Sequence, residues 1–480
     1  MSKDKQSKIT VVESIRLRGD KRRKVKNVLK KYKHLKNLMT IFLKYFFCKK
    51  HVPFFYEVIF NENVFNAYFS KPNSRRKEKV KRRLVLFRSL VENNPGIQNI
   101  VDQIRNIKSQ VPNCVFQSVR QQTFQDFKSY LRLWKSFKSG KVSNPPNIPK
   151  PRKLDKFLSF GLTISQPHAC RYVDTKNGQD VILIPWLGNI KVKLPRWLKF
   201  KDIKFITVSE KFDEVWIHIG VETEVLQTDL DNSLYLGIDL GIRNLASCVS
   251  NKSGHRSFII NGGPFKYFNQ WYHKTFAKLQ SDNNIKGLRQ LARFRKRWFD
   301  NQFHKVANHI ILECLRNGIK YIVVGNVYES KNQTVNLGRM QNQQFHSIPL
   351  KRLVDIIKYK AQKFGIEVIE VEESYTSKTS CISAPEPDAQ YTNTGIRNGS
   401  LFKDTVLNKV FHADLNGAAN IVKKVYQNAF SHLKRKEMFF KLCNPFKIRN
   451  SHMLHNLSLS LPLVLLEKQA ASLTGCYPVG

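Results

Sequence analysis

The pattern of apolar and polar positions changes period several times along the chain. Residues 8–18, KITVVESIRLR, are rich in β-branched side chains and predict one strand. From 20 to 50 the apolar positions take a helical period, with Leu29, Tyr32, Leu35, Leu38 and Phe42 on one face. Helical spacing continues over 54–138. There Leu84, Leu86 and Leu90 form a stripe that Pro95-Gly96 breaks, and 111–137 carries Phe116, Val119, Phe124, Phe127, Leu131 and Trp134. Residues 139–153, SGKVSNPPNIPKPRK, are a proline-rich basic linker and the clearest boundary. The period then falls to two. Stretches 157–165, 180–185, 190–194, 203–209 and 214–224 predict five short strands, which suggest a small oligonucleotide-binding barrel.

The second half is organised by LYLGIDLGIRNLASCVSNKSGHRSFIING, residues 234–262. An apolar run, 234–238, delivers Asp239 at a point where a strand is buried. A second run, 245–249, returns beside it; Asn251-Lys252-Ser253-Gly254 turns the chain, and 257–260 makes a third strand. Burying an unpaired carboxylate costs several kcal/mol, so such an aspartate usually meets a cation. The plainer alternative is an aspartate in a tight turn. A basic helical region follows over 265–317, then a buried strand, YIVVGN, at 321–326. Residues 366–378, IEVIEVEESYTSK, read as a strand whose end carries Glu372 and Glu373.

Charge changes this picture most. The 480 residues hold 82 Lys and Arg against 36 Asp and Glu, a net charge of +46 spread over the whole sequence. A surface so charged repels itself unless a polyanion neutralises it, and a long nucleic acid is the natural partner. No apolar run approaches the roughly 18 residues a membrane span needs. LSLSLPLVLLEK near the end is shorter and reads as a terminal helix or strand. MSKDKQSK leads into no apolar segment, so no signal peptide is read and a cytoplasmic location is expected. The basic run 21–31 would face solvent or phosphate. The aromatics of 111–137 could stack on bases, but at this spacing they are more often core. The eight cysteines show no CxxC spacing, which fits reduced thiols rather than a disulfide framework or zinc ribbon.

Two motifs carry a resemblance. GIDLGIRNLAS, 237–247, resembles the first RuvC motif of the TnpB transposon-associated nucleases and the related type V CRISPR effectors. HADLNGAANI, 412–421, resembles their third, with its aspartate at Asp414. The resemblance implies an α/β RNase H-like (RuvC) nuclease domain over 231–480. It also implies a small β-barrel, wedge-like domain from 1–20 and 151–230, with 21–150 a helical recognition-like insertion. The implied activity is RNA-guided DNA endonuclease, with a guide RNA, a double-stranded DNA target and Mg²⁺ or Mn²⁺. The helix LRQLARFRKRWFDNQFHKVANHII resembles the one preceding the second motif, with Arg289, Arg293, Arg295, Lys296 and Arg297 lining a nucleic-acid channel.

The chain departs from the pattern twice. A two-ion site about 4 Å across needs three carboxylates, and oxygen ligands suit these hard cations. The usual middle glutamate ends the strand that here reads YIVVG, and Gly325 and Asn326 stand there instead. Glu373 matches an ESYTSK-like segment that supplies the missing carboxylate in some TnpB sequences; Glu372 and Glu329 are the alternatives. Adjacent strand residues face opposite ways, so one of Glu372 and Glu373 would reach the ions. Second, the family's paired CxxC zinc ribbon is missing. Cys381 stands alone and 376–403 reads as a loop, so no zinc is expected. Two other readings stay open: a nuclease-dead RNA-guided DNA binder, and a RuvC-like nuclease without a guide.

Overall fold

The computed structural model describes residues 8–48, 58–70, 77–154, 159–211, 214–226, 228–325 and 348–448. It forms two compact units, Thr10–Thr223 and a second running from Glu224. Glu329 and the apolar stretch at 457–468 lie outside the described residues.

In the first unit, strand β1 (Lys8–Arg16) is followed by helices α1 (Gly19–Cys48), α2 (Glu62–Tyr68), α3 (Glu78–Glu92), α4 (Pro95–Ser109) and α5 (Asn113–Lys138). Pro95 does end the preceding helix, but it also opens the next. At a first helical position its missing N–H costs nothing. Strands β2 (Ser159–Ser165), β3 (Arg171–Lys176), β4 (Gln179–Ile184), β5 (Ile190–Lys193), β6 (Ile203–Lys211) and β7 (Glu214–Glu224) complete the unit. Hydrogen bonding sorts them into two sheets, β1-β7-β6-β2 and β3-β4-β5. The N-terminal strand thus joins strands about 200 residues later in sequence. Strand β3 is unforeseen in the sequence because RYVDTK has no buried face.

One core joins helices and strands: Leu29, Phe42, Phe87, Phe124, Leu162 and Ile206 all belong to it. Phe116, Val119, Phe124 and Phe127 are buried there, so the first half of the α5 aromatic stripe is packing. The basic run on α1 is partly used internally. Lys26 lies 3.9 Å from Glu210, and Lys21 Nζ donates to the Lys191 carbonyl at 2.9 Å. Lys33, just beyond the run, is buried and pairs with Glu210 at 2.5 Å.

The second unit is built on a six-stranded sheet. Its order is β12-β11-β8-β9-β10-β16, from β8 (Asp231–Leu240), β9 (Asn244–Ser250), β10 (Phe258–Asn261), β11 (Ile319–Gly325), β12 (Glu367–Val371) and β16 (Phe446–Ile448). Strands β8, β9 and β10 run antiparallel to their neighbours in sequence, while β11 is parallel to β8 and to β12. The expected single basic helical region is two helices, α6 (Gly263–Ser281) and α7 (Ile285–Asn317). Asn283 turns the chain at φ 48°, and Asn284 caps α7 by accepting from the Gly287 N–H at 2.8 Å. Gly318, left-handed at φ 67°, ends α7 and feeds β11.

The period-two pattern of β8 decides which face holds what. Leu236, Ile238 and Leu240 pack with Phe303 and Ile310 of α7 and with Leu353 and Ile357 of α8 (Leu350–Gln362). Gly237 and Asp239 point the other way, toward α9 (Ala413–Lys423). The segment expected as a loop at 376–403 is instead a docked turn. It leads into a three-stranded sheet of β13 (Gly395–Asn398), β14 (Leu401–Asp404) and β15 (Lys409–His412). A further helix, α10 (Arg435–Cys443), precedes β16. No helix of the described residues is long and apolar enough to cross a membrane.

Candidate active site

Asp239 is the ninth residue of β8 and stands on the α9 face of the sheet. Two glycines make that position possible. A Cβ on Gly237 would run into the Ala418 carbonyl, so only glycine lets α9 lie this close to the strand. A Cβ on Gly417 would sit 2.8 Å from Asp239 Oδ2, so the carboxylate rests against a bare turn of α9.

Asp414 lies in the first turn of α9, where the helix dipole favours a negative charge. Its Oδ2 accepts from Asn244 Nδ2 at 2.7 Å, and its Oδ1 is paired with Arg397 Nη2 at 2.6 Å. Neither partner was singled out in the sequence. Asn244 had a signal: it opens the strand that returns beside Asp239, within GIRN. Arg397 had none, being a lone arginine in a segment without periodicity.

Glu373 arrives by a different route from the one the sequence suggested. The strand ends at Val371, so alternation along it does not choose between Glu372 and Glu373. A turn chooses. The Glu373 carbonyl accepts from Thr376 N at 3.2 Å and Thr376 Oγ1 at 2.8 Å, and Tyr375 takes a φ of 65°. Helix α9 holds this turn with two asparagines one helical turn apart. Asn420 Nδ2 donates to the carbonyls of Thr376 and Thr379 at 2.9 and 2.7 Å. Asn416 donates to Thr379 O at 2.8 Å and accepts from Cys381 N at 2.8 Å. Glu372 is left exposed, accepting from the Ser374 hydroxyl.

The Glu373 carboxylate comes to rest over Gly325. A Cβ on Gly325 would overlap Glu373 Oε1 and crowd its Cδ. Since Val324 pairs with Ile238 in parallel register, Gly325 stands level with Asp239 on the next strand, about 4.8 Å away in a regular sheet. The space a glutamate at 325 would use is therefore filled by one reaching in from 373.

Asp239 feels its negative neighbours. Asp239 is held well above the usual aspartate range by burial first, then by the charges of Asp414 and Glu373, with Arg397 opposing. Burial also raises Glu373, and Lys424 works against that. Beside them, Asp239, Asn244, Arg397 and Asp414 line a cleft of ≈ 210 Å³. Among the described residues, no group of three His, Cys, Asp or Glu side chains is already gathered at ion-holding distance. The donor set is nonetheless the oxygen set that a hard divalent cation takes. The mutual repulsion that raises Asp239 is what such a cation would relieve. In this structure Arg397 supplies the only positive charge paired with Asp414 among the described residues.

The five basic residues of α7 divide. Arg289 is exposed and Arg293 half-buried. Lys296 pairs with Asp300 at 3.0 Å, and Arg297 is exposed. Arg295 is turned inward: its guanidinium lies 4.8 Å from the Tyr272 ring and 5.0 Å from that of Phe299, and it reaches Asn269 at 3.4 Å. It joins α6 to α7.

Comparison with known proteins adds family to geometry. A family model described as a probable transposase matches residues 218–331, which contain Asp239 and Gly325. A model for the Cas12f1-like TNB domain matches 351–421, which contain Glu373, Arg397 and Asp414. The TnpB-like protein ORF457 of Acidianus two-tailed virus is 24% identical over 370 residues, 67% of this chain and 75% of its own. Among solved structures, a Cas12f1–sgRNA–target DNA complex matches with TM-score 0.49 and 16% identity, over 86% of this chain and 98% of that one. The mini-RNA-guided endonuclease CRISPR-Cas_phi3 matches with TM-score 0.37 and 11% identity, over 87% and 92%. Both family models fall on the segments that carry Asp239, Glu373 and Asp414, and over most of its length the chain is similar to a TnpB-like protein.

Proposed function

We propose that the protein is an RNA-guided DNA endonuclease whose RuvC-type site uses Asp239, Glu373 and Asp414, with Glu373 taking the part of the absent middle glutamate. The observation that carries this reading is the Glu373 carboxylate packed over Gly325, level with Asp239. The sheet order supports an RNase H-like domain: three antiparallel strands followed by two parallel ones, with α7 and α8 on one face and α9 on the other. In the same reading, 1–20 and 151–230 make the small barrel-like domain, 21–150 is its helical insertion, and 231–480 is the nuclease domain. Guide RNA and double-stranded target DNA are the partners, and the net charge of +46 is what so long a polyanion would offset.

The three carboxylates would hold Mg²⁺ or Mn²⁺, which when bound activate a water and stabilise the departing 3′-oxygen of a phosphodiester. The chain's own residues do the arranging. Asn244 fixes the orientation of the Asp414 carboxylate through Oδ2, and Asn416 and Asn420 hold the turn that aims Glu373. Arg397 balances the charge of Asp414 at Oδ1 and puts a cation at the edge of the cleft that a phosphate would enter.

The test is cleavage of double-stranded DNA matching the RNA that copurifies with the protein, in Mg²⁺ and with chelator as control. Asp239→Ala and Asp414→Ala should each lose cleavage by about a hundredfold or more while RNA-dependent DNA binding stays near wild type. Near-wild-type cutting by either variant would remove the metal-site assignment.

A further inference from the structure

Between Glu373 and Asp414 the chain is gathered around a fourth carboxylate, Asp404, which is fully buried. Its Oδ2 accepts from Ser380 Oγ and Ser383 Oγ, each at 2.6 Å. Its Oδ1 accepts from the backbone N–H groups of Val406 and Leu407 at 2.9 and 2.8 Å. Ser380 Oγ in turn accepts from the N–H groups of Ile382 and Ser383, both at 3.2 Å. A buried carboxylate without a cation persists only when several donors face it, and here four do.

Two short turns, 380–383 and 404–407, therefore close on one centre. Each is four residues long with its ends three positions apart, the spacing at which paired C-x-x-C turns grip a structural zinc ion. Asn408, at φ 48°, completes the second turn. The side chains at the four positions are two hydroxyls, a carboxylate and a leucine. That set cannot close a tetrahedral zinc site.

The centre is wired toward the active site on both sides. Next to Ser380, the Thr379 carbonyl is held by Asn416 and Asn420, the residues that also hold the Glu373 turn. Ser380 N donates to Thr394 Oγ1 at 3.0 Å, and Thr405 N to Thr394 O at 3.1 Å. Strand β13 starts at the next residue, pairs Gly395 with Asp404, and carries Arg397. A Cβ on Gly395 would overlap the Phe402 ring, so this end of the strand lies flat on the hairpin.

We propose that Asp404, Ser380 and Ser383 form a metal-free clasp that closes two turns as a structural ion would, and that the clasp positions Arg397 against Asp414. Asp404 is in this sense a positioning residue. Only the importance of Arg397 for cleavage rests on the proposed nuclease function; the clasp does not, and neither measurement below uses DNA.

The first measurement replaces the clasp with the ion. The full-length variant Ser380→Cys, Ser383→Cys, Asp404→Cys and Leu407→Cys, purified with its bound RNA, should hold one zinc per chain, which a chelator removes. Folded protein that binds no zinc would overturn the proposal. The second needs no gain of function and decides the matter if the four-cysteine variant does not fold. In Asp404→Asn, amide exchange at 380–383, 395–398 and 404–407 should speed up by about tenfold or more, with 236–249 unchanged. Zinc bound to the four-cysteine variant should restore slow exchange at 395–398. Exchange in Asp404→Asn equal to wild type in all three segments would show that the carboxylate holds nothing together.

Discussion

In the proposed site three carboxylates must tolerate one another. Asp239 carries the largest burden, since burial and two negative neighbours all favour its protonated form. Its folded pKa lies well above the ordinary aspartate value, so the native state binds the proton more tightly than the unfolded chain does. Stability therefore falls as pH rises through that window, and the penalty is fully present above it. In chelator, Asp239→Asn should melt higher than wild type at neutral pH, and the gap should close as pH is lowered toward 3.8. A gap that widens on acidification would mean that the carboxylate is stabilised by its surroundings, contrary to this picture. Asp239 and Asp414 were legible from the sequence because each sits inside a compact motif. Arg397 and Asp404 were not. Their side-chain partners lie 17 to 24 residues away, across turns with no periodicity to predict them.

At the scale of elements, the exchange between β11 and the 373–379 turn is the decisive feature. A glutamate at 325 and one at 373 cannot both occupy the space beside Asp239. Gly325→Ala should push the Glu373 carboxylate aside and reduce cleavage strongly with little loss of RNA binding. Gly325→Glu combined with Glu373→Ala should recover part of the cleavage that Glu373→Ala alone loses, because the side chain would then reach the same space from the neighbouring strand. Equal rates for the double variant and for Glu373→Ala would argue against that equivalence. The sequence points to Glu373 through the missing carboxylate at Gly325 and the match to an ESYTSK-like segment, while strand alternation says only that one of Glu372 and Glu373 reaches the site. The strand stops at Val371, and a turn held by Asn416 and Asn420 makes the choice instead. Helices α6 and α7 give a parallel case. Basic residues look alike in a sequence, but Arg295 is stacked between Tyr272 and Phe299. Arg295→Ala should lower the melting temperature, whereas Arg289→Ala should leave it unchanged and reduce the salt slope of RNA binding by roughly 0.7.

Across the whole molecule, composition points to a polyanion partner, and the period of the apolar pattern announces a helical stretch, short strands and a mixed α/β second half. What composition could not reveal is how much of the charge is spent inside the fold. Lys26 and Lys33 serve Glu210, Lys351 and Lys358 serve Glu370, and Lys441 donates to two backbone carbonyls. Nor could it show that a three-stranded sheet and an Asp404 centre, rather than a loop, bridge Glu373 and Asp414. The central claim is that Glu373 completes the catalytic carboxylates from outside the usual strand. The direct measurement is the single-turnover rate of target-DNA cleavage for Glu373→Gln beside Glu372→Gln and wild type, each loaded with the same copurified RNA in Mg²⁺. Glu373→Gln should fall by about a hundredfold or more, with Glu372→Gln within a few-fold of wild type. A Glu373→Gln protein that cuts like wild type would contradict the account.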